Sequence, residues 1–128
     1  MRTFVRFRTD AAYCLLPVEA VREVSDAQGL TRLPAARAGV VGLVRRGGRS
    51  LSVLAPFGTG KFVVIVETAG AAFGLIVQEV LGIVHVAEAD VEPAPAGQTD
   101  PLIVGLVGRD GSQDLLVSPE RIWERVAA

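Results

Sequence analysis

Sulfur and imidazole are nearly missing from these 128 residues, which hold one cysteine, Cys14, and one histidine, His85. A single thiol forms no internal disulfide and builds no thiolate metal cage, so a reducing compartment is expected. Two such groups make neither a triad nor a metal site without further convergent ligands, and both lie in apolar runs where core packing is the expectation. No apolar stretch approaches the roughly 20 residues of a membrane helix. Arg2, Arg6, Arg8 and Asp10 interrupt any signal-peptide pattern at the start. The expected location is therefore the cytoplasm. Aromatic residues make up 5 % of the chain, and only Phe57 and Phe62 fall in its basic stretch, few for the stacking that single-stranded nucleic acid needs. The net charge of −1 removes any whole-molecule attraction to nucleic acid or anionic lipid.

Half of the residues are hydrophobic, with no low-complexity tract and no evident internal repeat. That fits one domain, which at this length hides about two-thirds of its unfolded surface. The small net charge conceals an uneven distribution. Residues 27–66 carry Arg32, Arg37, Arg45, Arg46, Arg49 and Lys61 with no acid, whereas residues 67–128 carry ten acids against three arginines. Such lobes either attract each other or steer different partners.

Short β-type runs separated by glycine dominate. Ten are expected: around Phe4–Phe7, Tyr13–Leu16, Val21–Val24, Val40–Val44, Leu51–Leu54, Phe62–Val66, Phe73–Val77, Val80–Val86, Leu102–Val107 and Leu115–Val117. Phe62 to Val66 is nearly all β-branched, as in a strand buried on both faces. Thr9–Ala12, Arg45–Arg49, Thr68–Ala72 and Arg109–Ser112 read as turns, and Gly82 as a bulge. Asp26–Pro34 and the proline-rich Ala87–Pro101 read as loops. Ser118, Pro119 and Glu120 open the one helix, with Ile122, Trp123 and Val126 on a shared face and Trp123 as its anchor.

No catalytic group, cofactor site or metal site emerges. Gly58-Thr59-Gly60-Lys61 resembles a phosphate loop, but Ala55 and Phe62 stand where that motif needs glycine and Ser/Thr, so a glycine turn is the better account. Glu88, Asp90 and Glu92 alternate with apolar residues along one solvated face of an extended segment.

Three strings then resemble a known family. TFVRFRTDAAYCLLPVEAVREV, VVGLVRRGGRSLSVL and FGLIVQEVLGIVHV, in that order, are similar to the CheW-like coupling domain of bacterial chemosensory systems. The resemblance implies an all-β fold: two intertwined five-stranded SH3-like β-barrels with a short C-terminal helix at 119–127. The first barrel is expected at about 12–60 and the second at about 61–117, with 1–11 assigned to neither. It implies a non-enzymatic adaptor between a chemoreceptor tip and the regulatory domain of a CheA-type histidine kinase, or a specialised relative that binds only one of them, and it allows association with other CheW-like domains in receptor clusters. The residues it nominates for protein contact are Glu23, Val41, Leu43, Val44, Arg45, Arg46 and Arg49. In the family an arginine of the β-turn faces a glutamate whose counterpart here is Glu23; Arg46 stands one place early for that role, and reaches Glu23 only if the turn slips by a residue. The family's Asp in the third string falls on Gln78, and only seven residues separate Leu54 from Phe62 where relatives carry a longer segment with a helix. The alternative reading is a small-barrel module that binds an acidic or nucleic-acid ligand through 27–66.

Overall fold

The computed structural model describes residues 1–37, 39–98 and 100–127, and the side chains of these except at 35–37, 126 and 127. The side chains of Arg37 and Val126, named above for charge and helix packing, lie outside the described residues. Among the described residues twelve strands and one α-helix follow in order: β1 (Arg2–Arg8), β2 (Tyr13–Pro17), β3 (Val21–Asp26), β4 (Thr31–Arg37), β5 (Val40–Arg46), β6 (Arg49–Leu54), β7 (Phe62–Thr68), β8 (Ala71–Val77), β9 (Glu79–Val86), β10 (Val91–Pro93), β11 (Ile103–Arg109), β12 (Ser112–Val117) and α1 (Pro119–Ala127). The two beyond the expected ten are β4 and β10. The supposed loop 26–34 is a single 3-10 turn, Ala27–Gly29, that runs straight into β4. Glu88–Asp90 is likewise a 3-10 turn before β10, so Glu88, Asp90 and Glu92 do not line one extended face.

The strands divide into two six-stranded sheets, β3-β7-β8-β6-β5-β4 and β9-β1-β2-β12-β11-β10. Written this way, the two orders correspond strand for strand, and each contains one parallel pair, β6 with β8 and β12 with β2. A 3-10 turn follows β3 in one half and β9 in the other. The sequence carries the echo: Val40-Val41-Gly42-Leu43-Val44 on β5 matches Ile103-Val104-Gly105-Leu106-Val107 on β11, and each is followed by a two-residue turn. The molecule is an internal pseudo-twofold, contrary to the expectation of no repeat.

This symmetry draws the dividing line elsewhere than expected. The β3 sheet is continuous, from residue 21 to 77, so β7 and β8 belong with β3–β6 and not with the strands after residue 61. The β9 sheet combines the N-terminal hairpin β1–β2 with β9–β12, so residues 1–17 belong to it. Register is the reason: β7 pairs along its whole length with β8, whereas β2 finds β1 on one side and β12 on the other.

Three apolar clusters hold this arrangement. Val44, Leu51, Val53, Val63, Ile65 and Ile76 all lie within the β3 sheet. Phe4, Leu15, Val86, Val107 and Leu116 all lie within the β9 sheet. The largest cluster lies between the sheets and takes Phe7, Cys14 and Leu16 from one, Leu54, Val64, Val66, Phe73 and Leu75 from the other, and Ile122 from α1. Strand alternation explains the division, because Val63 and Ile65 point one way and Val64 and Val66 the other. As expected, β7 is buried on both faces. Ser118 caps α1, its Oγ accepting from the Arg121 N–H at 3.2 Å, and Trp123 stacks on Phe73 with ring centroids 5.6 Å apart.

At one place the halves differ in kind. Ile65 and Leu51 correspond by register to Arg6 and Asp114. Where one sheet places two hydrocarbons, the other places an ion pair, with Arg6 donating from Nε to Asp114 Oδ2 at 2.8 Å and from a terminal nitrogen to Oδ1 at 3.1 Å. Asp114 is fully buried, Arg109 approaches its Oδ2 at 3.4 Å, and the Arg6 guanidinium lies 4.3 Å over the Tyr13 ring. The hydrogen bond to Asp114 raises the Arg6 pKa above its ordinary value, against the opposing effect of desolvation.

Candidate docking surface

The β5–β6 hairpin closes with Gly47 at φ 57° and Gly48 at φ 77°, the left-handed pair a two-residue turn requires. This turn projects Arg46 toward β3. Its Nε donates to Glu23 Oε1, one terminal nitrogen donates to Ser25 Oγ at 2.5 Å, and the other to the Arg45 carbonyl at 2.7 Å. The pair that depended on a one-residue slip of the turn is formed. Four neighbour steps separate β3 from β5 in the sheet order. At about 4.8 Å per step these strands would stand about 19 Å apart in a flat sheet, so the contact requires the sheet to curl.

The nominated residues divide by exposure. Glu23, Arg45, Arg46 and Arg49 reach solvent at or near this turn. Arg45 is held by the turn itself, donating to the Gly48 carbonyl at 3.0 Å, and Arg49 borders a shallow cleft with Glu67, Thr68 and Ala71. Leu43 is half-buried on β5, paired with Ser52 and Thr31. Val41 packs against the apolar cluster of its sheet. Val44 is a correction: at 3 % exposure it belongs to that cluster and offers no surface. It points inward because it alternates with Leu43 and Arg45 along the strand.

Sequence reading missed the apolar part of the surface. Val24, beside Glu23, is 42 % exposed, and Ile83, its counterpart on β9, is 59 % exposed. Both sit on edge strands of their sheets. The available signal was Val24 itself, flanked by Arg22, Glu23, Ser25 and Asp26, an apolar residue in a strand too polar to be buried. His85 is a second correction. It lies exposed on edge strand β9, with Nδ1 3.1 Å from Thr3 Oγ1, and not in the core. Cys14 is buried as expected, and desolvation, aided by the Asp114 charge, pushes its thiol up to about 12. Among the described residues no three His, Cys, Asp or Glu side chains converge as metal ligands.

The geometry is that of a surface with anchored charges and exposed edge-strand hydrocarbon. The family model for the CheW-like domain matches residues 3–127. The crystal structure of the scaffolding protein TtCheW from Thermoanaerobacter tengcongensis is similar at a TM-score of 0.79 and 23 % identity, over 91 % of this chain and 88 % of that one. No curated protein matches the sequence.

Proposed function

The chain belongs to the CheW-like domain family, and on that premise we propose that it is a non-catalytic scaffold of a cytoplasmic chemosensory array, joining a chemoreceptor tip to a CheA-type kinase regulatory domain. The observation that carries this reading is the family match along residues 3–127. The turn-borne Arg46, tied to Glu23 with Val24 beside it, supplies a rigid contact surface of the kind a scaffold needs. We read each curled sheet as an SH3-like barrel, because each encloses an apolar cluster drawn from its own strands. Among the described residues no helix is long and apolar enough to cross a membrane.

The basic stretch does not favour a nucleic-acid ligand. Arg46 is occupied by Glu23 and Ser25, and Arg45 by its own turn. Phe57 packs into the shared core, where it is not free to stack on bases.

Separate binding titrations with a kinase regulatory domain and with a receptor cytoplasmic tip test the proposal. Arg46→Glu and Val24→Arg are the informative variants, since Val41→Arg would also disturb packing. Each is expected to weaken binding at least tenfold, about 1.4 kcal/mol, while leaving the melting temperature nearly unchanged. Failure of the unmodified chain to bind either partner at tens of micromolar, or unchanged affinity in both variants, counts against it.

A further inference from the structure

The segment between β6 and β7 corresponds under the pseudo-twofold to the one after β12, which is α1. Both segments cross to the opposite sheet. Trp123 of α1 stacks on Phe73 of β8, and Phe57 of the 55–61 segment packs on Phe7 of β1 with ring centroids 6.2 Å apart. Each covers part of the shared core, but only one is a helix. The other is fastened by polar contacts. Asp10, in the β1–β2 turn, accepts at Oδ2 from the Thr59 N–H at 3.2 Å and from Thr59 Oγ1 at 3.4 Å. Its Oδ1 accepts from Gln78 Nε2 at 2.7 Å, and the same Gln78 amide donates to the Thr59 carbonyl at 3.0 Å.

The surrounding backbone is shaped for this contact. Gly58 has φ 96°, and a Cβ there would fall 2.5 Å from Asp10 Oδ2. A Cβ on Gly60 would fall 2.2 Å from the Val77 carbonyl oxygen, to which the Lys61 N–H is bonded at 3.0 Å. The Gly-Thr-Gly run that resembles a phosphate loop thus presents Thr59 to a carboxylate of the same chain. Asp10 belongs to the β9 sheet's hairpin, Thr59 to a connection within the β3 sheet, and Gln78 to the joint between β8 and β9.

We propose that Asp10, Thr59 and Gln78 form a clasp that sets how the two sheets sit against each other, standing in for a helix on this side of the shared core. Gln78 is a positioning residue here: its neutral amide donates to both sides, whereas a carboxylate at 78 would face Asp10 with like charge.

Two readouts on the full chain, without any partner, test this. Hydrogen exchange follows the Thr59 and Lys61 amides. Spin-label distances between introduced Arg32→Cys and Gln113→Cys, one on each sheet, follow relative placement. Gln78→Glu is expected to speed exchange at both amides by about tenfold or more and to broaden the distance distribution. Adding Asp10→Asn should restore both in part, because the Asn amide then donates to Glu at 78 while its oxygen still accepts from Thr59, although the Thr59 carbonyl has lost the amide that donated to it. Should Gln78→Glu fail to fold, Asp10→Asn alone is expected to give intermediate exchange. Unchanged exchange, faster exchange with an unchanged distance distribution, or no rescue by the double variant overturns the proposal. None of these readouts depends on partner binding, so the scaffold reading stands or falls separately.

Discussion

Arg6 and Asp114 illustrate what one pair of residues does to an otherwise repeated design. Their counterparts Ile65 and Leu51 lie in an apolar cluster, whereas Asp114 is fully buried and balanced by two arginines. Asp114 is the fully buried member, so Arg6→Ala, which leaves it with the Arg109 contact alone, is expected to lose about 3 kcal/mol of unfolding free energy in urea titration. Replacing both, as Arg6→Ile with Asp114→Leu, imposes the hydrocarbon solution of the other half and should return stability to within about 1 kcal/mol of the original. Cys14 supplies a second residue-scale expectation. Its thiol is held neutral up to about 12, so above its ordinary value of 9.0 the unfolded chain gives up a proton that the folded one keeps. Stability should therefore fall as pH rises from 9 toward 12, and the native thiol should resist alkylation at pH 8. Rapid alkylation without denaturant would contradict the burial. The half-exposed Glu23–Arg46 pair differs from both: at about 0–1 kcal/mol, its loss should be felt in recognition and hardly in melting temperature.

At the scale of elements, turn chemistry was the most legible feature. Gly47-Gly48 and Asp110-Gly111 adopt positive φ throughout, as the hairpins need, with Asp110 at 43°. Gly48→Val should cost about 1–2 kcal/mol, measured by chemical denaturation, because a β-branched side chain is strained at that φ. The two strands that escaped reading, β4 and β10, share a cause. Both are edge strands containing a proline, Pro34 and Pro93, and both pair on one side only. Such strands have neither the alternation nor the apolar run that marks an element in sequence. The candidate surface was half legible for a related reason. Charge at the turn can be read from residue types, and the Glu23 partnership was implied by the family resemblance on condition of a slipped turn, but the inward aim of Val44 and the outward aim of Val24 depend on which face of a curled sheet meets the core.

For the whole molecule, the shared cluster predicts a single cooperative unfolding event. Trp123 lies at its margin, so tryptophan fluorescence and far-ultraviolet circular dichroism should give coincident denaturation curves. Two resolved transitions would mean that the sheets stand independently. Deleting residues 1–17 should abolish the transition, because it removes Phe4 and Leu15 from one cluster and Phe7, Cys14 and Leu16 from the shared one. The repeat that makes this architecture was hidden because the two halves share little in sequence beyond one pentapeptide and a glycine-containing turn, and because its second copy is split across the two ends of the chain.

That split has a consequence for birth on the ribosome. The hairpin β1–β2 is made before its partners β9 and β12, while the sheet from residue 21 to 77 has all its strands in hand earlier than β12. Loop closure favours the nearer contacts. Translation therefore leaves the hairpin's Phe4 and Phe7 without the strands that cover them until β9 and β12 have been made.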